Sequence, residues 1–364
     1  MMMQTSVSNN STVPAWFRGR GAQINPNNRF DAAKYVAEIE EMIDESFLLD
    51  ERTELIYTYP KTVINKVESD DLGFEYSMNP YQGCEHGCTY CYARNTHEYW
   101  GYSAGLDFER KIIVKKNIIE LLEKTFSKKS WKPRPILLSG NTDCYQPIER
   151  DLEMTRKILL TCLKYKHPVA IITKNALIKR DLDILVQLAE HNLVSVTMSI
   201  TGVDEKLRSV LEPRTSTYKS RFAAMETLNR YGVPCGVMMA PVIPGLNHYD
   251  IPAVLEQAGK CGATHANMSL VRLNGAVGEI FKDWLHKTFP DRADKVWSQI
   301  CDCHGGTVNE SRFGVRMRGE GKIAASVWQL FEVNKAKYIK ENPSFYLNCE
   351  AFNYKANDVQ MSLF

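Results

Sequence analysis

Gly83-Cys84-Glu85-His86-Gly87-Cys88-Thr89-Tyr90-Cys91 carries the strongest signal in this chain. Three cysteines at C-x₃-C-x₂-C spacing can converge on one face of a compact loop, and thiolates suit soft metal centres such as iron–sulfur clusters or zinc. The run follows directly on Phe74–Met78, which reads as a strand. Five further strand-like runs come after it: Ile136–Ser139, Val169–Thr173, Val194–Ile200, Cys235–Val242 and His265–Leu273. Between them apolar residues recur at helical spacing, as in Ile158, Leu159, Cys162 and Leu163, then Leu185, Leu188 and Ala189. Strands and helices alternating in units of roughly 30 residues predict βα units around a parallel sheet. The expected fold class is therefore α/β, a partial (β/α)₆ barrel of TIM type over 73–275. An N-terminal extension over 1–72 and a helical C-terminal extension over 276–364 flank it. In such sheets the functional residues gather at the carboxyl ends of the strands.

The composition sets bounds on this reading. With 44% hydrophobic and 24% charged residues among 364, the chain has the make-up of a globular protein with a sizeable core. Its 45 basic and 43 acidic residues leave a net charge of +2, so any contact with nucleic acid rests on local patches rather than a global cationic field. The first residues lack the apolar core of a secretory signal, and no apolar run approaches the ~20 residues of a membrane span. A cytoplasmic location with no membrane contact is expected. Ten cysteines in a reducing compartment then point to metal or redox chemistry before disulfides.

The cysteine loop leaves a second reading open, a zinc turn completed by His86 or by a distant cysteine. Cys301, Cys303, His304 and Cys349 lack a partner pair at metal-site spacing. Cys162, Cys235 and Cys261 fall in core positions of helices and strands. The basic run from Lys115 to Arg134, with Glu120 and Glu123 interspersed, reads as a solvated helix face.

The C-x₃-C-x-aromatic-C loop after the first strand resembles that of the radical S-adenosylmethionine (SAM) superfamily, and the resemblance covers about 74–273. It implies a [4Fe–4S] cluster on Cys84, Cys88 and Cys91, with SAM on the open iron and Tyr90 at the family's aromatic position. Reductive cleavage of SAM would give a 5′-deoxyadenosyl radical that abstracts hydrogen from substrate. By the same resemblance, Ser139, Gly140, Asn141, Thr142 and Asp143 take the place of the family's Gly-Gly-Glu segment, which receives the SAM amino group, although they depart from that pattern. Ser199 falls where a polar residue meets the ribose, Arg214 could pair with the SAM carboxylate, and the loop Pro241–Gly245 passes near the adenine.

More narrowly, three segments look like the spore-photoproduct-lyase-like branch: Asn79-Pro80-Tyr81-Gln82-Gly83-Cys84, the Ser139–Asp143 run leading into Tyr145-Gln146-Pro147-Ile148-Glu149, and Arg18-Gly19-Arg20-Gly21. This implies a nucleic-acid substrate, a lyase-type DNA repair reaction, Cys144 as hydrogen-atom donor, and a reducing protein such as flavodoxin or ferredoxin. The last residues, Gln360-Met361-Ser362-Leu363-Phe364, resemble the short peptide by which bacterial DNA-metabolism proteins dock on the replication sliding clamp. Two other functions stay open at this level: radical SAM modification of a protein or small molecule, and a zinc-stabilised nucleic-acid-binding protein without catalysis.

Overall fold

The computed structural model describes residues 17, 19–30, 53–69, 71, 73–341 and 345–354. The clamp-like tail and Arg18 lie outside the described residues. Among the described residues there are ten strands: β1 Glu54–Thr58, β2 Ile64–Lys66, β3 Tyr76–Met78, β4 Tyr81–Gln82, β5 Lys111–Lys115, β6 Ile136–Leu138, β7 Val169–Thr173, β8 Val194–Ser199, β9 Cys235–Val242 and β10 Ala266–Leu270.

All six strands read from the sequence are found, as β3 and β6 to β10. They pair in parallel in the order β10-β9-β8-β7-β6-β3, with β2 added antiparallel at the far edge. The sheet does not close, so it is a partial barrel of the expected class. Ile136, Leu138, Val169, Ile171, Val194, Val196, Val237 and Met239 are wholly or almost wholly buried, as expected of parallel strands covered on both faces. The connecting helices pack their apolar stripes on the same core, for example Ile158, Leu159 and Cys162 on helix Met154–Tyr165. Helix ends are set by the local residue types. Gly232 takes φ +79° just beyond helix Tyr218–Arg230, and Asp250 with Pro252 opens helix Ile251–Lys260.

Residues ahead of 73, expected as an extension, contribute to the core architecture. β2 supplies the sheet edge, and β1 forms a small second sheet with β5 and β4. Beyond 275, in the stretch expected to be helical, helix Ala276–Thr288 buries Ile280, Phe281, Trp284 and Leu285. Helix Gly321–Tyr338 packs along helix Ile251–Lys260, and an unanticipated helix, Ala293–Asp302, lies between the two in sequence.

The two edges of the open sheet are linked by side chains. The Leu270 N–H donates to the Met317 carbonyl (2.9 Å), which lines segment 308–317 along β10. From that segment Arg316 Nε donates to Asp71 Oδ2 (2.5 Å), Arg316 Nη2 to Ser69 Oγ (2.6 Å), and the Gly314 N–H to Asp71 Oδ1 (2.6 Å). Ser69 and Asp71 belong to the connection between β2 and β3. Among the described residues no helix is long and apolar enough to cross a membrane.

Candidate active site

The cysteine loop leaves β4 through Gly83, whose φ of +79° and packing against the Lys111 carbonyl leave no space for a Cβ. The Cys84 N–H donates to the Phe108 carbonyl (2.8 Å), and the Cys91 N–H to the Cys88 carbonyl (3.4 Å), closing a tight turn before the 3₁₀ helix Tyr92–Trp100. Arg94 Nε donates to the Cys88 carbonyl (3.0 Å) and Arg94 Nη2 to Glu109 Oε1 (2.5 Å), and both of these charged side chains are wholly buried. Glu109 also accepts from the Gly21 N–H (3.1 Å) and the Ala22 N–H (2.7 Å), drawing the N-terminal segment onto the loop. Gly21 presses so closely on the Gly87 carbonyl that any Cβ would overlap it.

On the opposite side, the segment Tyr145–Glu149 braces the same loop. Gln146 Oε1 accepts from the Glu85 N–H (2.9 Å) and its Nε2 donates to the Gly83 carbonyl (3.1 Å), while Glu85 Oε2 accepts from the Ile148 N–H (2.8 Å). Tyr81 donates its hydroxyl to Glu149. The two strings singled out together in the sequence are thus one interlocked unit.

Cys84, Cys88 and Cys91 are free thiols, and Cys91 packs against the apolar groups that contain Cys84 and Cys88. Burial raises the pKa of all three, and the neighbouring thiols push Cys84 further in the same direction. Among the described residues no three His, Cys, Asp or Glu groups converge on a single-ion position. In a four-iron cube each cysteine binds a different iron, so its ligands need not converge on one point. His86, the other ligand of the zinc reading, is engaged elsewhere. Its Nδ1 lies 3.4 Å from Asp143 Oδ2 and its Nε2 lies 3.2 Å from Asn175 Nδ2. Burial lowers its pKa to about 4, so the ring is neutral at neutral pH.

The turn after β6 is drawn into the same framework. Ser139 takes φ +68° and its Oγ accepts from the Cys144 N–H (2.8 Å). The Gly140 carbonyl accepts from the Tyr92 hydroxyl (2.6 Å), the Asn141 N–H donates to Asn79 Oδ1 (2.9 Å), and the Thr142 hydroxyl donates to the Tyr81 carbonyl (2.6 Å). Asp143 accepts from the Thr173 hydroxyl (2.8 Å) and the Lys174 N–H (2.7 Å), tying this turn to the end of β7. Cys144 follows with its thiol wholly buried in the principal apolar core, and its carbonyl accepts from the Thr155 hydroxyl (2.6 Å).

Ser199 ends β8 as expected, but its hydroxyl accepts from Lys174 Nζ (2.9 Å). Lys174 was not among the anticipated residues. Its ammonium lies 5.8 Å from the centre of the Tyr90 ring and acts on Cys88 and Cys91, which makes it a fixed cation beside the cysteine loop. A lysine immediately after a buried strand, in Thr173-Lys174-Asn175, was the available signal.

Arg214 is partly exposed and leans toward Glu85, 3.7 Å away, while its N–H donates to the His86 carbonyl (3.2 Å). The first residue of its Glu212-Pro213-Arg214 run plays the larger structural part. Glu212 accepts from the Tyr90 hydroxyl, from Thr201 Oγ1 (2.8 Å) and from Arg221 Nη2 (2.6 Å), and the Glu212 and Arg221 side chains are wholly buried. The loop beyond β9 is closed by Asn247, whose Nδ2 donates to the Thr201 (2.8 Å) and Pro241 (3.1 Å) carbonyls.

Residues 78–258 match the radical SAM superfamily model. An uncharacterized protein of Mycobacterium tuberculosis is 34% identical over 64% of this chain and 69% of its own length. The chain belongs to the radical SAM superfamily. An uncharacterized protein of Methanocaldococcus jannaschii is 29% identical over 67% of this chain and 86% of its own. Two solved structures of spore photoproduct lyase share the fold. One, complexed with dinucleoside spore photoproduct, gives a TM-score of 0.57 at 16% identity, covering 78% of this chain and 79% of that one. The other, with bound AdoMet and dinucleoside spore photoproduct, gives 0.56 at 16% identity over the same shares. As a radical SAM protein the chain is an enzyme of radical chemistry, with a [4Fe–4S] cluster and SAM as its cofactors.

Proposed function

We propose that Cys84, Cys88 and Cys91 hold the cluster and that the enzyme acts on nucleic acid, in a lyase-type repair or related reaction on DNA. The observation that carries this reading is the meeting of the three thiols of the cysteine loop, two of them buried, with a fixed lysine and the Ser139–Asp143 turn at the carboxyl ends of one open parallel sheet. When bound there, the cofactor pair supplies one-electron cleavage of SAM and hydrogen-atom abstraction from the substrate.

The chain's own residues then divide the work. Lys174 offers a cation to the polar end of SAM, Ser199 a hydroxyl to its ribose, and Ser139–Asp143 border its amino group from β6. Tyr90, held by Glu212, backs the last two cysteines. Arg214 is the second cation on that side. Electrons come from a one-electron reductant of flavodoxin or ferredoxin type. Support for the substrate class is the shared fold with the photoproduct-lyase structures, which hold a dinucleoside lesion. Clamp docking through Gln360, Met361, Ser362, Leu363 and Phe364 is no part of this reading, because those residues lie outside the described structure.

The test is a screen of ultraviolet-irradiated oligonucleotides with the anaerobically reconstituted enzyme, following 5′-deoxyadenosine and lesion loss together. Lesion loss that depends on SAM is the expected result. SAM cleavage with no change in any oligonucleotide would move the substrate to a protein or small molecule.

Cys144 enters as hydrogen-atom donor on the strength of its place beyond the second core strand, although its thiol has no exposed surface. Cys144→Ala is expected to cleave SAM at the parental rate while the substrate radical diverts to side products, which chromatography of the products reads directly. An unchanged product distribution would leave Cys144 as a core thiol.

A further inference from the structure

Arg272 stands two residues beyond β10, at the carboxyl end of the last barrel strand. Its backbone is fixed on both sides: the Val271 N–H donates to the Val242 carbonyl and the Leu273 N–H to the Val308 carbonyl, both at 2.9 Å. The side chain is partly buried, and among the described residues no acceptor hydrogen-bonds or ion-pairs with it. The titratable groups facing it are Arg316, Asp71 and the neutral hydroxyl of Tyr92. Asp71 is already bound to Arg316 and to the Gly314 N–H. Burial, and then the neighbouring Arg316, push the pKa of Arg272 down, as befits a cation that lacks its counter-ion. Tyr92 directly follows Cys91 and donates to the Gly140 carbonyl, so Arg272 shares a rim with the loops that border the cofactor site.

Withdrawing a guanidinium from water without a partner costs free energy. Here the cost is met at the end of the barrel where substrate must arrive. The guanidinium is a planar fork suited to bidentate contact with a phosphate, and a second arginine adjoins it. We propose that Arg272 receives a phosphodiester group of the substrate strand, with Arg316 as the second cation of the same rim. This rests on the nucleic-acid reading above.

The test uses fluorescence anisotropy of a labelled single-stranded oligodeoxynucleotide, intact or ultraviolet-irradiated, with the holoenzyme across a salt series. Arg272→Gln is expected to weaken binding roughly tenfold at low salt and to reduce the slope of log affinity against log salt by about one, the loss of one phosphate contact. Arg272→Lys, which keeps the charge without the fork, is expected to keep the slope and lose only part of the affinity. Lys129→Gln, in the exposed turn between helix Ile118–Phe126 and β6, serves as the control outside the proposed rim and is expected to bind as the parent does. If the parent binds and Arg272→Gln shows the same affinity and slope, the assignment falls while the nucleic-acid reading stands. If the parent binds no oligonucleotide, both fall. Binding of a polyglutamate peptide in place of the oligonucleotide, lost in Arg272→Gln, would overturn the phosphodiester assignment in favour of a carboxylate ligand.

Discussion

Cys84→Ala is expected to give a folded protein that holds no four-iron cluster and produces no 5′-deoxyadenosine. With three ligands available, each of three irons has one protein thiolate, and removing any one leaves an iron with none. The loss should therefore be complete rather than partial, and Cys88→Ala and Cys91→Ala should behave the same way. Iron analysis, the brown visible absorbance of the reconstituted protein and chromatography of SAM products read the outcome. A parental iron content with parental SAM cleavage in Cys84→Ala would refute the ligand assignment. One zinc per chain in the parent would refute the cluster itself. The fold should survive the substitution, because Cys84 lies in a small apolar group with Ala93 and Phe108 rather than in the principal core.

Glu212→Gln is expected to destabilise the enzyme by about 3–5 kcal/mol, because it leaves Arg221 wholly buried without its counter-charge. That corresponds to a fall of roughly 5 °C in Tm for a chain of 364 residues. The effect also has a signature in pH. Burial alone would raise the Glu212 pKa, but Arg221, Lys174 and the bond from Tyr90 hold it to about 2, against an ordinary 4.5. A carboxyl depressed by folding stabilises in full above its unfolded pKa, and the contribution is lost as pH falls through the folded value. The parent should therefore lose stability between about 4.5 and about 2, and Glu212→Gln should show a flatter profile across that window. Urea melts above and within the window make the comparison. Parallel profiles for the two proteins would show that Glu212 does not carry this charge in the folded state.

How much of this was legible in the sequence depended on the range of the interaction involved. The six barrel strands were legible because burial on both faces demands an unbroken apolar run, as in Val169–Thr173. The cysteine loop stood out because its three thiols fall within a stretch of eight residues. β5 was harder. It begins and ends on lysine, and its last residue, Lys115, had been read as the start of a basic helix; that helix begins at Ile118. Glu212 and Lys174 are single charged residues among many. Only the packing of β7 and β8 side by side brings both to Tyr90, and no local pattern announces that. The Gly19–Gly21 segment has no periodicity at all, and its holdfast is Glu109, nearly ninety residues further on.

That holdfast bears on where this enzyme can be cut. The superfamily match begins at 78 and ends at 258, yet three components that complete the structure come from outside those limits. The Gly21 and Ala22 amides satisfy a buried carboxylate, β2 covers the flank of β3, and Met317 occupies the free side of β10. A fragment trimmed to the recognisable homology would have Glu109 short of two donors, would keep only Met78 of β3, and would end before β10 begins. The boundary of what is inherited in common and the boundary of what can fold alone are different lines in this chain, and a truncation series should be drawn along the second.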